Sequence, residues 1–452
     1  MIDLLLLSYA LADDPQIELH TGIWAHKTTT EWRNLAFYKA KTKAWKTSLL
    51  FTHRLWGDGI QQVDIRPLEI RWKGKKSNVT FEVGSLVPRW GQLDALSVID
   101  IIGGKDLQFG PTTTAETSRM GTLGIQLSRK LGPWKWKALL LPFSPQNNIQ
   151  TIGANWALLT PEEAISLTED AATWSGDLLT ESFFQQTLSS IASGLSSASL
   201  VQLSDALSKP SPEIRFGDLG GMLQWSSIGL TTNLYGGWLL DRSPAIQISP
   251  ELADYLQSET LPSLTDQTEF QQALTDPFEM IRPRFWTLGM DVSTLLGPFG
   301  VRAEGAYRSI QTVQTPYLQH RTSPWWGLAG AIDWNYDSSI VTVIEVNYQK
   351  YTKVNTQTWL EPSEGLSIVG NLAGNAAQMK LNWSLQGMYI VPNQDFLFSM
   401  QMGWRLSSHW LIQSKALILG GQPKSDLLSY EGGFLGYWGQ QDTISFNLIW
   451  NA

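Results

Sequence analysis

Arg89, Trp90, Asp94, Asp100, Lys105 and Asp106 crowd one short segment, LVPRWGQLDALSVIDIIGGKDLQFG, running from Leu86 to Gly110. Carboxylates interleaved with Arg and Lys are the raw material of acid–base catalysis, of a charged ligand pocket, or of an electrostatic constriction. The rest of the chain gives catalysis little support. His20, His26, His53, His320 and His409 form no HExxH or other close ligand pair, and no GxSxG nucleophile elbow occurs. His20 and His26 read as polar residues near the end of one strand rather than as a metal site. The expectation is a protein that is not an enzyme and has no cofactor and no metal.

The elements that must position this segment follow from composition and period. The 452 residues include 22 Trp, 12 Tyr and 38 Gly, yet only 16% are charged, and the mean hydropathy is -0.13. Rings with one apolar and one wet end are favoured at a membrane interface. No apolar run reaches the roughly 18 residues of a transmembrane helix. A closed barrel is the remaining way to pair every backbone group in lipid. The absence of Cys excludes disulfides and thiol chemistry, and a net charge of -8 argues against a nucleic-acid partner.

Alternation carries the strand signal. Met379, Leu381, Trp383 and Leu385 oppose Lys380, Asn382, Ser384 and Gln386. Phe396, Phe398, Met400, Met402 and Trp404 oppose Ser399, Gln401, Gly403 and Arg405, and Val301, Ala303 and Tyr307 oppose Arg302, Glu304 and Arg308. The chain ends TISFNLIWNA, where Ile444, Phe446, Leu448 and Trp450 alternate with polar residues, an ending that resembles the aromatic-ended closing strand of bacterial outer-membrane barrels. Strands are expected to start near residues 16, 32, 44, 63, 78, 119, 134, 213, 228, 283, 300, 322, 337, 375, 395, 408, 427 and 441. The fold class is all-β, a transmembrane antiparallel barrel of about 18 strands, with roughly 16 as the alternative.

Loop lengths have a parity. Short turns, including KTK, GKKSN, LGPW, LGPFG, NYDSS and VPNQD, are placed after even-numbered strands. Long connections, residues 86–118, 144–212, 242–282 and 353–374, follow odd-numbered ones. Bacterial barrels keep short turns in the periplasm and long loops outside. Helices are expected in the loops 144–212 and 242–282: Thr160, Pro161 and Glu163 form a capping box, Ser249-Pro250-Glu251 opens one short helix, and Asp266 with Glu269 opens another. Residues 178–200 also show roughly helical apolar spacing and read as a lid on the barrel mouth, with a membrane-active or partner-binding helix as the alternative. Leu4–Leu7 with Ala10-Leu11-Ala12 reads as the remnant of a secretory signal peptide over residues 1–12, leaving 13–452 as one barrel domain.

With the greasy faces turned to lipid, the charged lumen candidates are Lys46, Arg54, Arg302, Glu304, Arg308, Glu345, Lys380, Arg405 and Lys415, all basic but the two glutamates. A cationic lining lowers the barrier for anions. The competing reading pairs these charges with one another and with loop carboxylates. The segment 86–118 follows an odd strand and starts outside, but its run ALSVIDII is poorly suited to water. It is expected to fold inward, where its charges meet the lumen charges and Gly91, Gly103 and Gly104 permit tight bends.

VPRWGQLDALSVIDIIGGKDL also resembles the RWG-x-x-D and D-x-x-x-x-x-D segment of Gram-negative barrels related to the alginate-export family. The resemblance covers about 25 residues and implies a conduit in the Gram-negative outer membrane, with Arg89, Trp90, Asp94, Asp100 and Asp106 at a constriction. The reading is a conduit, porin-like or exporter-like, surrounded by outer-membrane lipid and lipopolysaccharide. It would pass a polar, anion-leaning small solute or polysaccharide. The alternative is an occluded barrel that uses its large outer loops to bind an envelope protein partner or surface ligand.

Overall fold

The computed structural model describes residues 16–26, 30–56, 61–105, 118–144, 147, 217–242, 245–248, 278–315, 319–336, 339–354, 363–376, 378, 380–421, 435 and 442–451. Their strands are β1 (Gln16–His26), β2 (Thr30–Lys41), β3 (Trp45–Trp56), β4 (Gln61–Lys76), β5 (Val79–Leu86), β6 (Thr122–Leu131), β7 (Trp134–Leu141), β8 (Asp218–Ser227), β9 (Leu230–Leu240), β10 (Ala245–Ile248), β11 (Phe278–Ile281), β12 (Arg284–Leu296), β13 (Phe299–Thr315), β14 (Gln319–Asn335), β15 (Ile340–Tyr351), β16 (Glu364–Ala376), β17 (Leu381–Val391), β18 (Asp395–Arg405), β19 (Trp410–Gly420) and β20 (Thr443–Asn451).

All but β10 and β11 join one 18-stranded sheet. Each strand pairs antiparallel with its chain neighbour, and β1 pairs with both β2 and β20, so no edge is left open. β9 pairs directly with β12, and β10 with β11 forms a separate two-stranded sheet. Closure is what lipid demands, since an unpaired strand edge has no water to satisfy it.

The pleat sorts side chains as the alternation requires. On β18, Phe396, Phe398, Met400, Met402 and Trp404 are exposed on the outer wall, while Leu397, Ser399 and Gly403 are buried inside. On β20, Ile444, Phe446 and Leu448 face out, while Ser445 and Asn447 face in. Two aromatic girdles border the outer apolar band. Trp45, Trp72, Trp134, Trp334, Trp404 and Trp410 lie at the short-turn end, and Trp32, Trp238, Trp286 and Tyr389 at the long-loop end. Even strand number, apolar band and paired girdles make this an outer-membrane-type barrel.

Three features depart from the sequence expectation. Residues 364–376, assigned to a loop, form β16 between β15 and β17. β19 pairs directly with β20, which leaves no place for a barrel strand starting near 427. The two errors cancel in the strand count. β16 escapes detection because Gly365, Gly370 and Gly374 and the inward Ser367, Asn371 and Asn375 blunt the alternation. The short VPNQD connection lies after β17, at the long-loop end, so short connections occur at both ends; the long ones still all follow odd-numbered strands. The expected helices of 144–212 and 242–282, the segment 1–12 and Asp106 lie outside the described residues, apart from the fragments given above.

Among the described residues the larger interior cluster lies on one side, and a smaller one of Phe37, Leu50 and Leu68 lies on β2–β4. From Val87 to Lys105 the chain leaves the rim after β5 and packs inside the barrel. Trp90, Leu93, Val98, Ile99 and Ile102 are buried there against Leu139, Leu141, Met222, Tyr235, Leu239, Phe285 and Trp325 of the wall. The seat is the inner surface of β7–β9 and β12–β15.

Candidate functional site

An irregular segment inside a barrel has no ladder for its backbone N–H groups, and leaving them unpaired is costly. Two wall carboxylates solve this. Glu304 on β13 accepts the N–H of Gln92, that of Leu93 at 2.8 Å and the Ser97 hydroxyl at 2.6 Å. Glu345 on β15 accepts the N–H groups of Asp94 and Ala95 at 3.0 Å and of Leu96 at 2.8 Å. Both glutamates are buried, at 4% and 2% exposure, so each carboxylate needs the donors as much as the donors need it. Hydrogen bonds to a charged group contribute about 1.5–3 kcal/mol each.

Basic and amide side chains of the wall collect the opposite groups. Arg302 donates to the Gln92 carbonyl, to Asp94 Oδ2 at 3.1 Å and to Asp333 Oδ1 at 2.6 Å. Asn347 Nδ2 donates to the Leu96 carbonyl at 3.0 Å. Arg308 stacks 3.9 Å over the Trp325 ring and donates to the Val98 carbonyl at 3.3 Å. Arg242, beyond β9, donates to the carbonyls of Ile101 and Ile102 at 3.2 and 2.9 Å.

Wall glycines receive the apolar side chains. A Cβ at Gly220 would lie 2.7 Å from Trp90, and one at Gly327 2.9 Å from Val98. Only a residue without a side chain lets the segment lie this close.

Within the segment, Asp100 accepts the Trp90 N–H at 3.3 Å and pairs with Arg119 at 2.6 Å. The Lys105 N–H donates to Asn147 Oδ1 at 2.9 Å. Arg89 and Asp94 pair at 2.9 Å and are the most open of the group, at 48% and 64% side-chain exposure. Partial burial pushes the Asp94 carboxyl up, but the hydrogen bonds and charges of Arg89 and Arg302 outweigh it, leaving its pKa below the ordinary carboxylate value.

The structure therefore brings Arg89, Trp90, Asp94 and Asp100 together with Arg302, Glu304, Arg308 and Glu345. Lys46, Arg54, Lys380, Arg405 and Lys415 lie elsewhere. Arg54 is buried on Glu31 at 2.6 Å, beside Arg33 on the same carboxylate at 3.0 Å. Lys46 pairs with Glu69 at 2.5 Å. Lys415 faces inward on β19, level with Ser445. Lys380 sits exposed in the turn between β16 and β17, not on a strand, where its carbonyl accepts the Arg405 N–H at 2.7 Å; Arg405 ends β18, also exposed. Alternation identified the inward face but not what that face meets.

A second set was not recognised in the sequence. Arg71, Lys73 and Lys75 on β4, Lys130 on β6, and Lys135 and Lys137 on β7 line a chamber of about 780 Å³ at the short-turn end. Glu82 takes Arg71 at 3.2 Å and Lys73 at 3.8 Å. Among the described residues, Lys75, Lys130, Lys135 and Lys137 have no carboxylate in ion-pair range. A smaller cavity of about 200 Å³ shares Arg71, Gln126 and Lys137 with the chamber and reaches Arg89 and Trp90. The signal was present: RWKGKK and WKWK alternate Lys or Arg with Trp or Gly.

Comparison with known proteins adds fold-level likeness. No family model matches the chain, and no curated protein matches it significantly. Solved structures resemble it across nearly its whole length. OccK8 (OprE) of Pseudomonas aeruginosa is 9% identical, covers 98% of each chain and gives a TM-score of 0.49. OccK2 (OpdF) of the same organism, solved with glucuronate, is 8% identical, covers 97% of this chain and 96% of its own, and gives 0.48. A BenF-like porin from Pseudomonas fluorescens Pf-5 is 7% identical, covers 98% and 99%, and also gives 0.48.

Proposed function

We propose that this chain is a passive outer-membrane conduit for small polar anions, narrowed by the inward segment 86–118. The observation that carries the reading is the basic chamber on β4–β7, which shares Arg71, Gln126 and Lys137 with the gap beside Arg89 and Trp90. Cations without carboxylate partners lower the electrostatic barrier for an anion in a confined aqueous path. Transport of this kind needs shape and charge but no bond-making residue. The resemblance to alginate-export barrels extends the proposal to anionic polysaccharide as an alternative cargo.

The test is ion selectivity in planar bilayers. Under a salt gradient the reversal potential is expected to show anion preference, and Lys135→Glu with Lys137→Glu is expected to reduce it or reverse its sign. A cation-selective wild-type current, or a preference untouched by that double substitution, contradicts the reading. So does the absence of current both before and after deletion of residues 90–115.

A further inference from the structure

The residues that keep the segment in the lumen are not those that border the open gap. Glu304 and Glu345 are almost fully buried, on β13 and β15. Between them they take the N–H groups of five consecutive residues, Gln92 to Leu96, plus the Ser97 hydroxyl. No regular secondary structure holds residues 92–97, so these donors have no alternative backbone ladder. Both carboxylates are turned on the segment, and Glu345 also lies 3.9 Å from Arg302, which leaves little of their charge for a passing solute.

We propose that Glu304 and Glu345 are positioning residues that act as a paired latch: their charge holds the segment against the β12–β15 wall, and neutralising them lets the segment swing into the lumen space and changes the aperture. The proposal rests on the conduit reading for its physiological sense but not for its geometry. Apolar packing alone would seat Trp90, Val98, Ile99 and Ile102. It would leave the amides of 92–96 with no ladder and only lumen water to satisfy them. An amide side chain in place of each carboxylate keeps the shape, loses the charge and presents one acceptor oxygen instead of two.

The absence of native cysteine gives a clean way to test this. A Cβ at Gly289 would lie 3.2 Å from Cγ1 of Ile99. That is close to the roughly 3 Å that disulfide geometry sets between one Cβ and the far sulfur. Ile99→Cys with Gly289→Cys should therefore tether the segment to β12 when oxidised. In Glu304→Gln plus Glu345→Gln, single-channel conductance is expected to change severalfold and to become noisy. Adding the oxidised tether should return it toward the wild-type value, and reduction should release it again. Heat-modifiable electrophoretic migration reports that the barrel itself is intact.

Amide hydrogen exchange of residues 92–96 supplies a readout that needs no current. Protection is expected in the wild type and lost in the double variant, while the strand amides of β13 and β15 remain protected. Retained protection at 92–96, or an altered conductance that the tether leaves unchanged, overturns the latch. If every protein is silent in bilayers, the conduit reading fails, and exchange alone decides the latch.

Discussion

At the scale of single residues, charge in this lumen divides into groups that are occupied and groups that are open. Arg302, Arg308, Glu304 and Glu345 are committed to the inward segment, whereas Asp94 stands at the gap with two guanidiniums beside it. Its carboxyl screens Arg89 and Arg302 from the path. Asp94→Asn is therefore expected to raise anion preference at neutral pH, read as a shift in reversal potential. Because the pKa of Asp94 is depressed, its charge survives as pH falls through the ordinary carboxylate range and is lost only below it. Anion preference in the wild type should accordingly stay level through that range and rise at more acid pH. In Asp94→Asn that rise should be missing.

At the scale of elements, the wall is shaped to receive the segment, and small residues do the receiving. Gly220→Val puts a Cβ 2.7 Å from Trp90 and carries the side chain further toward Ile102. Overpacking of this kind costs about 1–3 kcal/mol. The expected outcome is a lower urea midpoint together with altered conductance, as Trp90 is displaced toward the gap. Gly221→Val, one pleat over and facing lipid, is the control and should leave both unchanged.

The same pair shows what was legible in the sequence. Alternation revealed the barrel, because one buried face imposes a period of two. The strand total came out right only because the missed β16 offset the strand expected near 427. The inward course of the segment came from its apolar run. Alternation did not reveal that Gly220, Gly289 and Gly327 form the seat, since a glycine breaks the pattern without saying what fills the space. Nor did it reveal that Glu304 and Glu345 face main chain and not water. Their partners are more than 200 positions away, and only closure of the sheet brings them together.

At the scale of the whole molecule, the outer band sets how the barrel tolerates change. Met400 lies on the lipid face of β18 midway between Phe396 and Trp404, and Gln401 beside it faces the lumen. Met400→Arg is expected to destabilise by about 2–4 kcal/mol, the cost of an arginine at the bilayer midplane. Gln401→Arg should be nearly neutral in the same lipid-vesicle unfolding measurement.

The docking of the segment also has a consequence in time. It is made early in the chain, but its seat belongs to strands that come much later: Gln92 and Glu304 are separated by 212 positions, and Ala95 and Glu345 by 250. Contacts of such long range form late in folding. Until β12–β15 arrive, Trp90, Leu93, Val98, Ile99 and Ile102 have nowhere to go. A half-assembled chain thus carries a greasy, unsheltered stretch through the periplasm, and this is where a holding chaperone would have the most to cover.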